Sequence, residues 1–231
     1  MQLYFSSIIN EIETFYLSEE ESRHAISVMR HKVGDILTVI DGKGGRVHAE
    51  IIQAHPKKTL LRFIESLESI QKPSSLHIAI SPTKNNDRFE WFIEKACEIG
   101  IGKITPIICQ RTERTKINLE RWKKIIVVSC KQAQQLYFPE LMPAILLDKF
   151  IPALNPSNSF AAIINSENKL GKIDILEENT ILIGPEGDFT DSEKEAMLKK
   201  GIKPISLSNS ILRVETAGLV AASQWNFLTL S

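Results

Sequence analysis

Cysteine is scarce and unpatterned. The chain holds three, Cys97, Cys109 and Cys130, with no CxxC spacing. An odd, scattered set excludes a disulfide framework and a zinc ribbon, and predicts reduced thiols in a cytoplasmic protein. Net charge is missing too: 28 Lys and Arg balance 28 Asp and Glu. No global positive field marks a nucleic-acid partner, although a local basic face remains compatible with that balance. No apolar run approaches the ~20 residues of a membrane helix, so no membrane partner is expected. The opening MQLYFSSIINEIETF places acidic residues early and has no basic stretch ahead of a long apolar run, which argues against a signal peptide. Internal repeats and low-complexity tracts are absent, as is any His/Cys/Asp cluster at ligand spacing, so no metal is expected.

What is present is an ordinary globular composition, 231 residues with 43% hydrophobic and 24% charged, with room for one large domain or two small ones. Residues 1–70 read as β-rich. Ser18 with Glu21 three residues on suggests a capped helix within SEEESRHAISVMRHK. GDILTVI and RVHAEIIQA alternate around the turn cluster Asp41-Gly42-Lys43-Gly44-Gly45, and TLLRFIE adds a further strand. Several short strands with one helix predict a small barrel. SIQKPSS (69–75) reads as a linker. Beyond it, strands (LHIAISP, ITPIIC, PAILL, FAAIIN, TILIG, PISLS) alternate with helices. One helix is predicted from Asp87, as N-cap, to Gly100, and a long one over ERWKKIIVVSCKQAQQL. This alternation predicts an α/β domain with a largely parallel sheet, residues 71–231.

The most specific chemistry lies near the C-terminus. ILIGPEGDFTDSEKEAM (181–197) and ISLSNSILRVETAGLVAAS (205–223) each read as a buried strand, a loop that cannot be helical, and a helix. Paired loops at the carboxyl ends of neighbouring parallel strands are where open α/β sheets bind ligands. Gly184 and Gly187 permit left-handed backbone and close approach. Thr190 with Glu193 forms a capping-box pattern, so the helix should start at Asp191. The pattern is neither a P-loop nor GxGxxG, which disfavours triphosphates and dinucleotides. Ser208-Asn209-Ser210 followed by Ile211-Leu212 suits a flat ring such as adenine. Arg213 and Glu215 stand at the start of the last helix.

These residues carry a resemblance. GPEGD-F-T-x-x-E followed by L-x-x-x-ILR-x-ETA resembles the SPOUT class of RNA methyltransferases, and specifically the ribosomal RNA small subunit methyltransferase E family. His24, Arg30 and Gly34-Asp35, then Lys84, Arg88, Lys95, Glu98 and Gly100, then Arg114, Gln132 and Pro139 follow the family's order. The resemblance spans nearly the whole chain. It implies a PUA-like β-barrel (1–70) and a SPOUT methyltransferase domain (71–231) with a C-terminal trefoil knot, a homodimer, and S-adenosyl-L-methionine as cofactor. It also implies methylation of N3 of a uridine in 16S rRNA of the small ribosomal subunit. Carried over by position, Ile183, Gly184, Pro185, Glu186, Gly187, Leu207, Ser208, Ile211, Leu212 and Ala217 hold the cofactor, with Asn165 on a third loop. Arg213, with Glu186 or Glu215 as the carboxylate, is the expected catalytic set. Arg23, Arg30, Lys84, Arg88, Lys95, Glu98, Arg114 and Gln132 are expected at the RNA, along with His31, Lys32 and Arg111. Three positions depart from the family: Asp188 and Ser208 replace glycines, and Gln135 replaces an arginine.

N3 of uracil is a weakly acidic imide and a poor nucleophile while protonated, so transfer needs a carboxylate to take the proton and a cation to stabilise the enolate. The target base must leave any stack to be reached. Two other readings fit the residues: methylation of a ribose 2′-hydroxyl, and a non-catalytic RNA-binding assembly factor, which Asp188 and Ser208 motivate.

Overall fold

The computed structural model describes residues 2–9, 13–68, 71, 73–164, 166–170 and 178–229. Ser69, Ile70 and Lys72 of the expected linker lie outside the described residues, as does Asn165. The chain divides into two compact units: 1–73 with 127–138, and 74–126 with 139–231. Residues 127–138, which the sequence assigns to the second domain, pack within the first unit.

The first unit is a five-stranded sheet built from β1 (Leu3–Phe5), β2 (Thr14–Tyr16), β3 (Ile36–Ile40), β4 (Arg46–Gln53) and β5 (Leu60–Ser66), in the order β1-β3-β4-β5-β2. β1 runs parallel to β3 and the remaining pairs are antiparallel. β4 alternates as its sequence predicts, burying Val47, Ala49 and Ile51. These meet Tyr4, Leu37, Val39 and Leu61 in one core. The β3–β4 turn holds because Asp41 Oδ1 accepts from the amides of Lys43 (2.7 Å) and Gly45 (2.8 Å).

Between β2 and β3 lies α1 (Glu19–Arg23), capped by the Ser18 hydroxyl, which accepts from the Glu21 amide at 3.2 Å. It continues as a π-type turn over His24–Val28. Glu21 does not complete a capping box. Its side chain is buried and pairs with the Lys131 ammonium. Arg30 then takes a left-handed φ of +61°.

The second unit is a seven-stranded, wholly parallel sheet. Its strands are β6 (Leu76–Ile80), β7 (Lys103–Ile108), β8 (Glu140–Leu141), β9 (Ile145–Leu146), β10 (Ser159–Ala162), β11 (Asn179–Ile183) and β12 (Lys203–Ile205). The order is β12-β10-β11-β6-β7-β8, with β9 also on β7. Central β11 is buried at every residue, as a strand covered on both faces must be.

Helices α2 (Asn86–Ile99), α3 (Leu119–Gln132), α4 (Leu147–Phe150), α5 (Asp191–Lys200) and α6 (Val214–Thr229) complete this part of the chain. The N-cap of α2 is Asn85, not Asp87: the Asn85 side chain accepts from the Asp87 amide at 2.8 Å. Gly100 ends the helix at φ +92°, as predicted. Phe89, Phe92, Ile93, Ala96 and Cys97 form its buried stripe, and the Phe89 ring stacks 4.5 Å from Trp122. α6 lies on α2 and β6, and Gly218 permits the approach, since a Cβ there would sit 2.5 Å from the Phe92 ring.

Candidate active site

The two predicted loops do not follow neighbouring strands. β10 lies between β11 and β12, because the chain steps from β10 to one side and then back across it to the other. Such a reversal opens a crevice at the strands' carboxyl ends. The loop after β10 therefore joins the site, which a reading of two loops alone omits.

A cavity of about 280 Å³ occupies this crevice. Ile183 to Glu186 and Asp188 form one wall, Ser206 to Ser208 and Ser210 to Glu215 another, and Ala162 to Ile164 the floor between them; Arg88 and Ala217 complete the lining. The expected cofactor residues Ile183, Gly184, Pro185, Glu186, Leu207, Ser208, Ile211, Leu212 and Ala217 all line it, as do Arg213, Glu186 and Glu215. Gly187 does not. Ala162 to Ile164, Ser206 and Val214 lacked any motif signal of their own, and only their place at the strand ends marks them.

The first wall is a turn closed by the Asp188 amide donating to the Pro185 carbonyl at 2.9 Å. Neither glycine takes the left-handed angle expected of it; that angle falls on Asp188, with φ +61°. Aspartate is among the few residues that tolerate this geometry, which accounts for a glycine at this position in the resembled family. Gly184 is required by contact instead, since a Cβ would stand 3.1 Å from the Phe189 ring. Behind the turn, Thr190 and Glu193 form the predicted capping box, and α5 starts at Asp191. Buried Glu193 also accepts from the Gln110 amide at 2.8 Å. It helps burial push the nearby Cys109 thiol up to about 12.

The second wall is held by its own polar groups. Ser206 Oγ donates to the Ser208 carbonyl at 2.8 Å, and Ser208 Oγ accepts from the Ser210 amide at 3.1 Å. Gln224 of α6 donates to the Leu207 carbonyl at 3.0 Å. Ile211 is left 79% exposed on the cavity rim.

Charge in the cavity is concentrated on few groups. Glu215 is only 5% exposed and its carboxylate lies 3.9 Å from Arg88 Nε. Arg213 is exposed just ahead of α6. The cation at Glu215 is Arg88 and not the nearby Arg213. Glu186 is exposed and accepts from the Lys84 amide at 2.9 Å.

The expected RNA residues separate into groups. Arg88 lines the cavity. Lys84 pairs with Glu113 at 2.8 Å, and Arg114 Nη1 reaches the Lys84 carbonyl at 3.4 Å, both beside the first turn. Lys95 pairs with Glu94 and Glu98 along α2 and lies outside the cavity lining. Arg23, Arg30 and Gln132 are exposed in the first unit. There Arg30 and Lys32 adjoin exposed Val28, Met29, Val33 and Ile36. His31 in the same segment is tied to Asp35 at 3.0 Å. Among the described residues no group of His, Cys, Asp or Glu is placed to hold a metal.

A parallel sheet with a ligand crevice at its carboxyl ends, joined to a small β unit, defines the class. The RNA methyltransferase domain family matches residues 71–226, and the RNA methyltransferase PUA domain family matches residues 17–64. The chain belongs to the ribosomal RNA small subunit methyltransferase E family. It is 30% identical over 237 aligned residues to the member from Rickettsia conorii, covering 98% of this chain and 95% of that one. Among solved structures it is similar to a Porphyromonas gingivalis protein described as a probable rRNA-methyltransferase, with TM-score 0.90, 32% identity, and 100% and 99% of the two chains covered. It is also similar to a Legionella pneumophila protein solved with the cofactor SAM, with TM-score 0.87, 27% identity, and 97% and 96% covered. The fold is thus the SPOUT-type parallel sheet preceded by a PUA-like unit.

Proposed function

We propose that this chain binds S-adenosylmethionine in the β10–β11–β12 crevice and methylates N3 of a uridine in 16S rRNA of the small ribosomal subunit. The observation that carries this is one cavity lined both by the two glycine- and serine-rich walls and by Arg88, Arg213 and Glu215. The lining fits the cofactor. Ile183, Leu207, Ile211 and Leu212 offer an apolar slot for adenine, and bare Ile211 is a surface that a flat ring would cover. When bound, S-adenosylmethionine supplies the electrophilic methyl group.

The remaining chemistry belongs to the protein. Glu215, buried on the first turn of α6, takes the N3 proton, and Arg88 keeps that carboxylate oriented. Arg213, exposed at the rim, stabilises charge developing on the uracil oxygens. Glu186 is tied to the Lys84 amide and so suits a loop-holding part better than proton transfer. The exposed basic and apolar segment 28–36 of the first unit, with Arg23, supplies RNA contacts by charge and stacking. The domain reading is a barrel over 1–70 and a catalytic domain over 71–231, with 127–138 of the latter packed within the first unit. Within the catalytic domain, the return of the chain across β10 supports a trefoil knot. Exposed Trp91 on α2 and Phe227 on α6 support a homodimer. Among the described residues no helix is long and apolar enough to cross a membrane, and work on assembling subunits favours the cytoplasm.

Titration with S-adenosylmethionine tests the cofactor site: saturable binding that Leu212→Arg, on the cavity lining, abolishes is expected, and the absence of binding removes the reading. Primer extension on treated small subunits tests the position. A strong stop at one uridine is expected, because N3 methylation blocks base pairing. A stop seen only at low nucleotide concentration identifies a ribose 2′-hydroxyl instead. Transfer unaffected by both Arg213→Ala and Glu215→Gln overturns the catalytic assignment.

A further inference from the structure

The turn that walls the cavity is tied from outside it. Arg111, in the turn after β7, donates from Nη1 to the Gly187 carbonyl at 2.6 Å. The Arg111 stem also fills the space behind that residue, since a Cβ on Gly187 would meet Arg111 Cδ at 3.2 Å. Gly187 C=O and Asp188 N–H belong to one peptide unit. Its oxygen is held by Arg111 and its amide by the Pro185 carbonyl. That peptide leads into the one left-handed residue of the turn, Asp188. A non-glycine residue resists this angle, so the bond to Arg111 opposes relaxation of the turn at its most strained point.

We infer that Arg111 is a positioning residue for the cofactor. It fixes the 187–188 peptide so that Pro185, Glu186 and Asp188 face the cavity, and it is not itself a contact to RNA. The geometry is a charge-assisted bond to a carbonyl, the stronger kind of hydrogen bond. Sheet order explains the reach: β7 adjoins β6, and β6 adjoins β11, so the β7 loop spans the β6 loop to the turn after β11. This inference rests on the cavity being the S-adenosylmethionine site.

The test uses the whole chain and three readouts: calorimetric titration with S-adenosylhomocysteine, thermal unfolding to show that each variant folds, and steady-state methylation of small ribosomal subunits. Wild-type binding must be seen first; its absence removes the cavity reading rather than the part given to Arg111. With wild-type binding established, Arg111→Ala is expected to raise the Kd about tenfold, the size of one charged hydrogen bond. Its KM for the subunit should stay unchanged. Arg111→Lys keeps the stem and one donor, and should recover most of the affinity. Should Arg111→Ala fail to fold, Arg111→Lys and Arg111→Gln are compared in its place, with Lys expected to bind tighter. A Kd within about twofold of wild type, or a defect confined to the subunit KM, overturns the inference.

Discussion

The Asp188 carboxylate lies 2.7 Å from the Lys194 ammonium, while its other oxygen accepts from the Phe189 amide at 2.8 Å. One side chain thus ties the strained end of the turn that walls the cavity to the first turns of α5. Asp188→Gly removes both ties but relaxes the left-handed angle, and a change within ~0.5 kcal/mol is expected. Asp188→Ala loses the ties and keeps the strain, so destabilisation of about 1–2 kcal/mol is expected. Thermal unfolding of the pair checks the difference; equal stability of the two variants removes strain as the explanation.

Two of the cavity's carboxylates, Glu215 and Glu186, should separate in kinetics. Glu215→Gln is expected to lower kcat by roughly 10²-fold or more, the scale of a lost proton acceptor, with S-adenosylhomocysteine affinity retained. Glu186→Ala is expected to weaken cofactor binding and leave most of kcat, because it removes the oxygen that holds the Lys84 amide. Single-turnover methylation beside calorimetry distinguishes these patterns, and the reverse result exchanges the two roles.

Glu193 carries more than its helix cap. It accepts from the Thr190 amide and from the Gln110 amide, each at 2.8 Å. Thr190→Ala should cost about 1 kcal/mol, as cap losses do. Glu193→Ala strands two amides and should cost about 2–4 kcal/mol, from roughly 1–2 for each. Denaturant midpoints measure both, and a smaller loss for Glu193→Ala would contradict this ranking.

Burial lowers the His77 imidazole from 6.5 to about 4, with Lys103 adding to the effect. The ring sits between Thr105 at 2.7 Å and Thr180 at 3.2 Å. The unfolded chain therefore binds the extra proton between those values, and stability rises with pH across that window. The contribution is complete above about 6.5 and is lost as pH falls towards 4. Urea midpoints of wild type should drop between pH 7 and pH 5 more than those of His77→Gln; parallel curves would show that His77 is not the group responsible.

The local structure around the site was legible in sequence wherever a short-range rule governs it. Thr190 with Glu193 marked the start of α5, Gly100 marked the end of α2, and the apolar runs marked the strands. The rule failed where a distant partner intervened. Glu21 has capping-box spacing, yet Lys131 takes its carboxylate. Arg213 and Glu215 are close in sequence, yet the buried carboxylate faces Arg88. The glycines of GPEGD suggested left-handed backbone, but the structure gives that angle to Asp188 and uses Gly184 for clearance from Phe189. β1 and β2, three residues each, are too short to show a period.

By itself, then, the sequence determined the two-part α/β organisation, the two loops that wall the cavity and the family, because periodicity, capping and motif spacing are local properties of the chain. Tertiary structure alone decided the strand order that inserts β10 between the walls, the choice of Arg88 as the cation at Glu215, and the reach of Arg111 to Gly187. Each of these joins residues distant in sequence, and only sheet pairing and side-chain packing bring such groups within hydrogen-bonding or Coulombic range.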